Sequence, residues 1–236
     1  MLNIRSLPAW VDGLIDFVFP PMCLGCGSYT EEATSVCANC LDAIDRFNHP
    51  FCLKCMDIIP SGLKCPMCKN ETVPLFAHGN YTAPLEEIII HFKFKGIRKP
   101  ASLFAGLLCD RFGEAIISLK CATLVPIPLH PGRENHRGYN QAEIFAESLA
   151  ERLVFDVNAD ILARDKKRKP QARLNQRQRA SNIEGVFSVI SEAGEDNTLI
   201  LVDDVVTSGA TAREAVKTLK RGGYKVAAVV AIAHAV

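Results

Sequence analysis

A chain of 236 residues, 48% hydrophobic and 22% charged, has the composition of a folded globular protein and is too apolar to be disordered. Its formal net charge of +1 excludes a global electrostatic drive toward nucleic acid, so such a contact would need a local basic patch. No segment approaches the roughly 20 uninterrupted apolar residues that span a bilayer, and the length suits one α/β domain plus a smaller module.

At the N-terminus Leu7, Trp10, Val11, Leu14 and Val18 recur at helical spacing, while Asp12 and Asp16 interrupt the apolar run and no small-residue cleavage site follows. The segment reads as an amphipathic helix docked on the body, with a membrane-surface helix as the alternative. Eight of the ten cysteines then fall into four C-x-x-C pairs: Cys23/Cys26, Cys37/Cys40, Cys52/Cys55 and Cys65/Cys68. Without an export signal the expected compartment is the reducing cytoplasm, which disfavours a disulfide framework.

A C-x-x-C turn offers two thiolates to one metal, and two turns close a tetrahedral zinc site. Four pairs therefore imply two structural Zn2+ sites. Sequential grouping puts Cys23, Cys26, Cys37 and Cys40 on one metal and Cys52, Cys55, Cys65 and Cys68 on the other; a cross-braced arrangement stays open. A redox role would suit a single pair better. His49, between the pairs, reads as a surface residue, and Cys109 and Cys121, in apolar segments, as core.

Residues 1–75 hold all the paired cysteines and little periodicity; 76–236 alternate strand-like and helix-like runs, so two domains are expected with that division. Helices are expected over Ala83–Phe94, Ala101–Leu119, Gln141–Leu153 and Ser208–Arg221. Strands are expected over Ala122–Pro126, Val186–Ile190, Leu199–Val202 and Lys225–Ala233, and Gly222-Gly223 separates the last helix from the last strand. Continuous apolar strands alternating with helices indicate an α/β fold: a parallel sheet covered on both faces. Arg164–Arg179, almost wholly basic and polar and broken by Pro170, reads as a loop, either a solvated charge run or an attractor of DNA phosphates.

Within this alternation, Leu199–Thr211 reads LILVDDVVTSGAT. A strand delivering a loop and a helix N-terminus presents unpaired N–H groups and the positive end of a helix dipole to an anion. Thr207, Ser208 and Thr211 add hydroxyls, and Gly209 and Ala210 keep the loop small. The carboxylates of Asp203 and Asp204 are acceptor-only groups suited to neighbouring hydroxyls. The stretch reads as a cradle for a ribose 5-phosphate.

All thirteen positions resemble the phosphoribosyl pyrophosphate (PRPP) signature of type I phosphoribosyltransferases. Together with the cysteines, HFKFKG (His91–Gly96) and VPIPLHPGRENHRGYNQAEIFAESLA (Val125–Ala150), it resembles the ComF family, bacterial proteins linked to natural competence. The resemblance implies a type I phosphoribosyltransferase domain, a Rossmann-like parallel sheet with flanking helices, preceded by a small double zinc ribbon. It implies Asp203 and Asp204 as catalytic residues, Thr207–Thr211 as the 5-phosphate loop, and Arg133, Arg137 and Lys93 as diphosphate ligands. Gln171, Arg173 and Arg177 would lie on a flexible loop closing over PRPP and its Mg2+. Asn140 has two readings, a helix cap or a substrate contact. The implied function is PRPP binding in support of DNA uptake, with phosphoribosyl transfer to an acceptor that no motif names. The alternatives are a non-catalytic PRPP sensor or a factor handling single-stranded DNA beside cytosolic competence and helicase proteins. Oligomeric state is not indicated.

Overall fold

The structure, a computed structural model, describes residues 20–30, 35–94, 96–121, 123–129, 137–164, 185–194 and 197–236. The N-terminal amphipathic segment and most of the basic run, with Arg133, Gln171, Arg173 and Arg177, lie outside the described residues.

After a short helix α1 (Ala38–Asp42), the two-residue strand β1 (Phe51–Cys52) leads to β2 (Pro74–Asn80), which no periodicity in the sequence announces. Helices α2 (Leu85–Phe94) and α3 (Pro100–Ile117) precede β3 (Thr123–Pro126). Helix α4 (Gln141–Leu153) is followed by β4 (Asp156–Val157), β5 (Leu162–Arg164) and β6 (Phe187–Val189). The chain ends with β7 (Thr198–Val206), α5 (Ala210–Arg221) and β8 (Lys225–His234).

The main sheet runs β1-β2-β8-β7-β3-β4. Every neighbour pair is parallel except β1/β2, while β5 and β6 form a separate antiparallel ribbon. Side chains alternate across a strand, so each strand feeds two cores. Ile200 and Val202 join Phe76, Leu124 and Val230 under α2, α3 and α4, where Ile88, Phe92, Phe104, Leu108, Phe145 and Leu149 are fully buried. Leu199 and Leu201 join Leu75, Val125 and Val229 on the opposite face against Ala215 and Leu219 of α5. Both faces are dry, which is why the central strands carry no polar alternation.

Most element ends shift by one or two residues from expectation, and two of the differences shape the site. The strand expected to stop at Val202 continues to Val206, because β8 keeps pairing with it through Asp203↔Ala231 and Val206↔His234. The helix expected from Ser208 begins at Ala210, since Gly209 takes a left-handed conformation (φ 71°) as its N-cap. Asn140 has extended backbone, accepts from the Ala142 N–H at 3.1 Å and donates to the Ile127 carbonyl at 3.1 Å, so its amide is committed to capping α4. Cys121 is buried and Cys109 half-buried against the core.

His78 of β2 is 3% exposed, and neither ring nitrogen has a hydrogen-bond partner of good geometry. Burial, reinforced by Arg46 and Arg111 and only partly opposed by the Leu107 backbone and Asp110, pushes its pKa down to about 4. The unfolded chain takes up a proton below pH 6.5 that the native state refuses, so this contribution is intact above pH 6.5 and lost as pH falls toward 4. His78→Leu is therefore expected to gain on the wild type by about 2 kcal/mol between about pH 7.5 and pH 5, read from urea midpoints at each pH.

Candidate anion site and metal centres

Each half of the cysteine module is built the same way. In the first, Met22 bridges Tyr29, the Gly27 N–H donates to the Cys23 carbonyl (2.8 Å), and Gly27 has φ 71°. In the second, Phe51 bridges Ile58, the Met56 N–H donates to the Cys52 carbonyl (2.7 Å), and Met56 has φ 65°. These tight turns aim both sulfurs of a C-x-x-C to one side. The thiols group sequentially: Cys23, Cys26, Cys37 and Cys40 in one cluster, Cys52, Cys55, Cys65 and Cys68 in the other, with all ligand atoms of a cluster within 4.8 Å of one another.

A tetrahedral zinc with bonds of about 2.3 Å would place its sulfurs about 3.8 Å apart. Cys26 and Cys37 Sγ are 3.8 Å apart, and Cys55 and Cys65 Sγ are 3.7 Å apart. One thiol of each cluster is drawn well toward the thiolate form, whereas burial pushes Cys40, Cys55 and Cys68 up. Ser28, through its side chain and backbone, pulls Cys26 down to about 6, and the Cys68 N–H draws Cys65 to about 7. The donor set therefore fits two Zn2+ ions, each with four thiolates and no position left for substrate. None of the ten cysteines is in a disulfide, and His49 is exposed and outside both clusters.

The two halves contact opposite faces of the sheet. Cys23, Leu24, Val36, Cys40 and Ile44 pack into the core beneath α2 and α3, whereas Phe51, Leu53 and Val73 pack into the core beneath α5.

The candidate anion site lies at the carboxyl ends of the strands, where open α/β sheets form ligand crevices. Here β3 stops at Pro126, opposite Val202, while β7 runs on for Asp203, Asp204, Val205 and Val206. The aspartates thus stand on a strand that has lost one neighbour. Asp204 Oδ1 is 2.8 Å from Nζ of Lys93, in the last turn of α2, and the two side chains are only 13% and 15% exposed. The same ammonium sits 5.9 Å from the centre of the Tyr81 ring. Asp203 is half-buried beside Asp204. Burial first, and then the Asp204 carboxylate beside it, push its pKa up to about 7, against the pull of Lys93. Its Oδ1 accepts the Asp204 N–H at 2.8 Å.

Arg137 is brought to the same corner. Its guanidinium lies over Phe94 at 4.4 Å and donates to Gln141 Oε1 at 2.8 Å, while Gln141 Nε2 reaches the Lys93 carbonyl at 3.5 Å. Lys93, Arg137, Asp203 and Asp204 therefore share one end of the sheet with the loop that follows β7. In that loop Thr207 and Ser208 are exposed, Gly209 is buried, and Ala210 and Thr211 begin α5.

Two further contributors are not legible in the sequence, since neither carries a local signal. Arg213 donates to the carbonyls of Ser208 (2.6 Å) and Leu53 (2.9 Å). Glu214, 8% exposed, accepts the Gly185 N–H at 2.7 Å and so anchors the chain just after the basic run.

Residues 14–70 match the family model of the double zinc ribbon domain, and residues 140–236 match that of the phosphoribosyl transferase domain. The fold, the cysteine clusters and these matches together define a phosphoribosyltransferase-type α/β domain carrying a double zinc ribbon. Over most of its length the chain is similar to competence proteins F and ComFC and to the YhgH proteins. It is 28% identical to competence protein F of Haemophilus influenzae, over 86% of this chain and 92% of that protein. It is 26% identical to competence protein ComFC of Bacillus subtilis, over 86% and 79%. To the DNA utilization protein YhgH of Escherichia coli K12 it is 27% identical, over 80% and 85%. Among the described residues no helix is long and apolar enough to cross a membrane.

Proposed function

We propose that this protein binds PRPP at the carboxyl end of β7 and transfers its phosphoribosyl group to an acceptor nitrogen, in the service of handling DNA taken up by the cell. The observation that carries the reading is the pair of carboxylates at Asp203 and Asp204, one strand-end ahead of an open helix N-terminus. In this reading the N–H groups of residues 208–211 hold the 5-phosphate, and Asp203 and Asp204 accept hydrogen bonds from the ribose hydroxyls. Lys93 and Arg137 face the diphosphate, where the planar guanidinium of Arg137 suits paired phosphate oxygens. Mg2+ bound to the diphosphate would neutralise charge on the leaving group, with Asp203 and Asp204 as the residues to hold it through the ribose. The competence and DNA-utilization names of the relatives support the cellular setting.

Calorimetric titration of PRPP with magnesium into zinc-loaded protein tests the reading. Saturable binding at one site per chain is expected, with an affinity that falls when Lys93 is replaced by Met. Absence of heat with folded, zinc-loaded protein would reject the site.

A further inference from the structure

The second zinc-ribbon turn and the loop after β7 are joined by one side chain. The guanidinium of Arg213 spans two carbonyls, Nη2 on Ser208 at 2.6 Å and Nη1 on Leu53 at 2.9 Å. Leu53 lies inside the Cys52–Cys55 turn and is itself held by its N–H on the Val73 carbonyl (3.0 Å). Around this bridge there is no slack. A Cβ on Gly209 would come 2.8 Å from Arg213 Nη1, 3.0 Å from Met56 Sδ and 3.4 Å from Leu53 Cδ1. The Arg213 N–H meanwhile donates to the Gly209 carbonyl at 2.8 Å, opening the hydrogen-bond ladder of α5.

A trans peptide points its carbonyl and its N–H in opposite directions. Drawing the Ser208 carbonyl toward Arg213 and the zinc ribbon therefore turns the Gly209 N–H away from them. The lysine or arginine expected near a phosphate would meet its oxygens. Arg213 instead has both terminal nitrogens on backbone carbonyls.

We propose that Arg213 is a positioning residue for the phosphate loop, fixing the Ser208–Gly209 peptide against the Cys52–Cys55 turn so that the second ribbon presets the loop for a sugar phosphate. This rests on the PRPP reading of the loop. It extends that reading by giving the second ribbon a part in ligand affinity. An exchange of Arg for Lys keeps the charge and loses the two-carbonyl bridge, which separates positioning from simple electrostatics.

The test uses full-length protein with both zinc ions, titrated with ribose 5-phosphate, PRPP plus magnesium, and inorganic diphosphate plus magnesium. Zinc content and melting temperature are recorded for each variant. Arg213→Met and Arg213→Lys are both expected to weaken the two sugar phosphates by about tenfold, while diphosphate affinity stays at the wild-type value. Should Arg213→Met lose zinc or melt early, Arg213→Lys decides. Wild-type affinity for ribose 5-phosphate in a zinc-replete Arg213→Lys protein overturns the proposal, as does an equal loss for all three ligands. A wild type that binds neither sugar phosphate rejects the PRPP reading itself, which is a separate outcome.

Discussion

Replacing Asp203 and Asp204 together by Asn is expected to lower the affinity for magnesium-complexed PRPP by about a hundredfold or more. Each carboxylate that accepts a ribose hydroxyl makes a charge-assisted hydrogen bond, about 1.5–3 kcal/mol apiece. Losing both costs about 3 kcal/mol or more, hence the hundredfold. The fold should survive, because the two substitutions pull in opposite directions. Asp204→Asn leaves Lys93, only 15% exposed, without its partner. Asp203→Asn removes a carboxyl whose pKa is raised to about 7 by burial and by Asp204.

A carboxyl with a raised folded pKa costs stability progressively as pH climbs from 3.8 to about 7, and Asn does not. The same shift gives ligand binding a pH dependence. Wild-type affinity should strengthen as pH rises through about 7 and Asp203 ionises, and Asp203→Asn alone should flatten that profile. Titrations at about pH 6, 7 and 8, with a scanning-calorimetry control, read both effects. A double variant that binds as the wild type does would remove the aspartates from the site.

Cys65→Ser should bind one zinc instead of two and melt at least about 10 °C lower. A structural zinc held by four thiolates contributes on the order of 10 kcal/mol of apparent binding energy, comparable with the whole stability of an ordinary domain, about 5–15 kcal/mol. Only a fraction of that need reach the sheet to move the midpoint so far, at about 2–4 °C per kcal/mol for a chain of this size. The route to the sheet is direct. Phe51, Leu53 and Val73, which the second ribbon holds, are 3%, 2% and 5% exposed in the core under α5. Zinc quantification on the purified variant and its thermal midpoint give the answer. Two zinc ions per chain, or an unchanged midpoint, would contradict the assignment of Cys65 as a structural ligand.

The elements legible in the sequence are those whose pattern is local. The 3.6-residue spacing of Ile144, Phe145, Leu149 and Leu153 marks Gln141–Leu153, and the structure has a helix over those residues. Strand β2 escapes a sequence reading because Pro74, His78, Gly79 and Asn80 are poor strand formers. The strand exists because the parallel ladder to β8, Leu75↔Val229 through Asn80↔His234, and burial on both faces override propensity. The length of β7 is hidden for a related reason. Nothing in VDDVV says that β8 continues beside it while β3 does not.

At the site, the loop motif is readable because its residues are contiguous. Lys93 is suggested only by family resemblance, and only the fold puts it 2.8 Å from Asp204, across more than a hundred residues. Arg213 and Leu53, 160 positions apart, have no local signal at all.

The two-residue strand β1 has a consequence out of proportion to its size. It lies antiparallel along the outer side of β2, and the bridge from Arg46 to Gly79 closes the other end of that edge. Both covers are segments that the thiolate clusters hold in place. Without metal, the buried run Pro74–Ala77 at the rim of a parallel sheet would be offered to any neighbouring chain as a template for intermolecular strand pairing. The ribbons therefore cover that edge, and removal of metal is expected to raise the protein's tendency to aggregate.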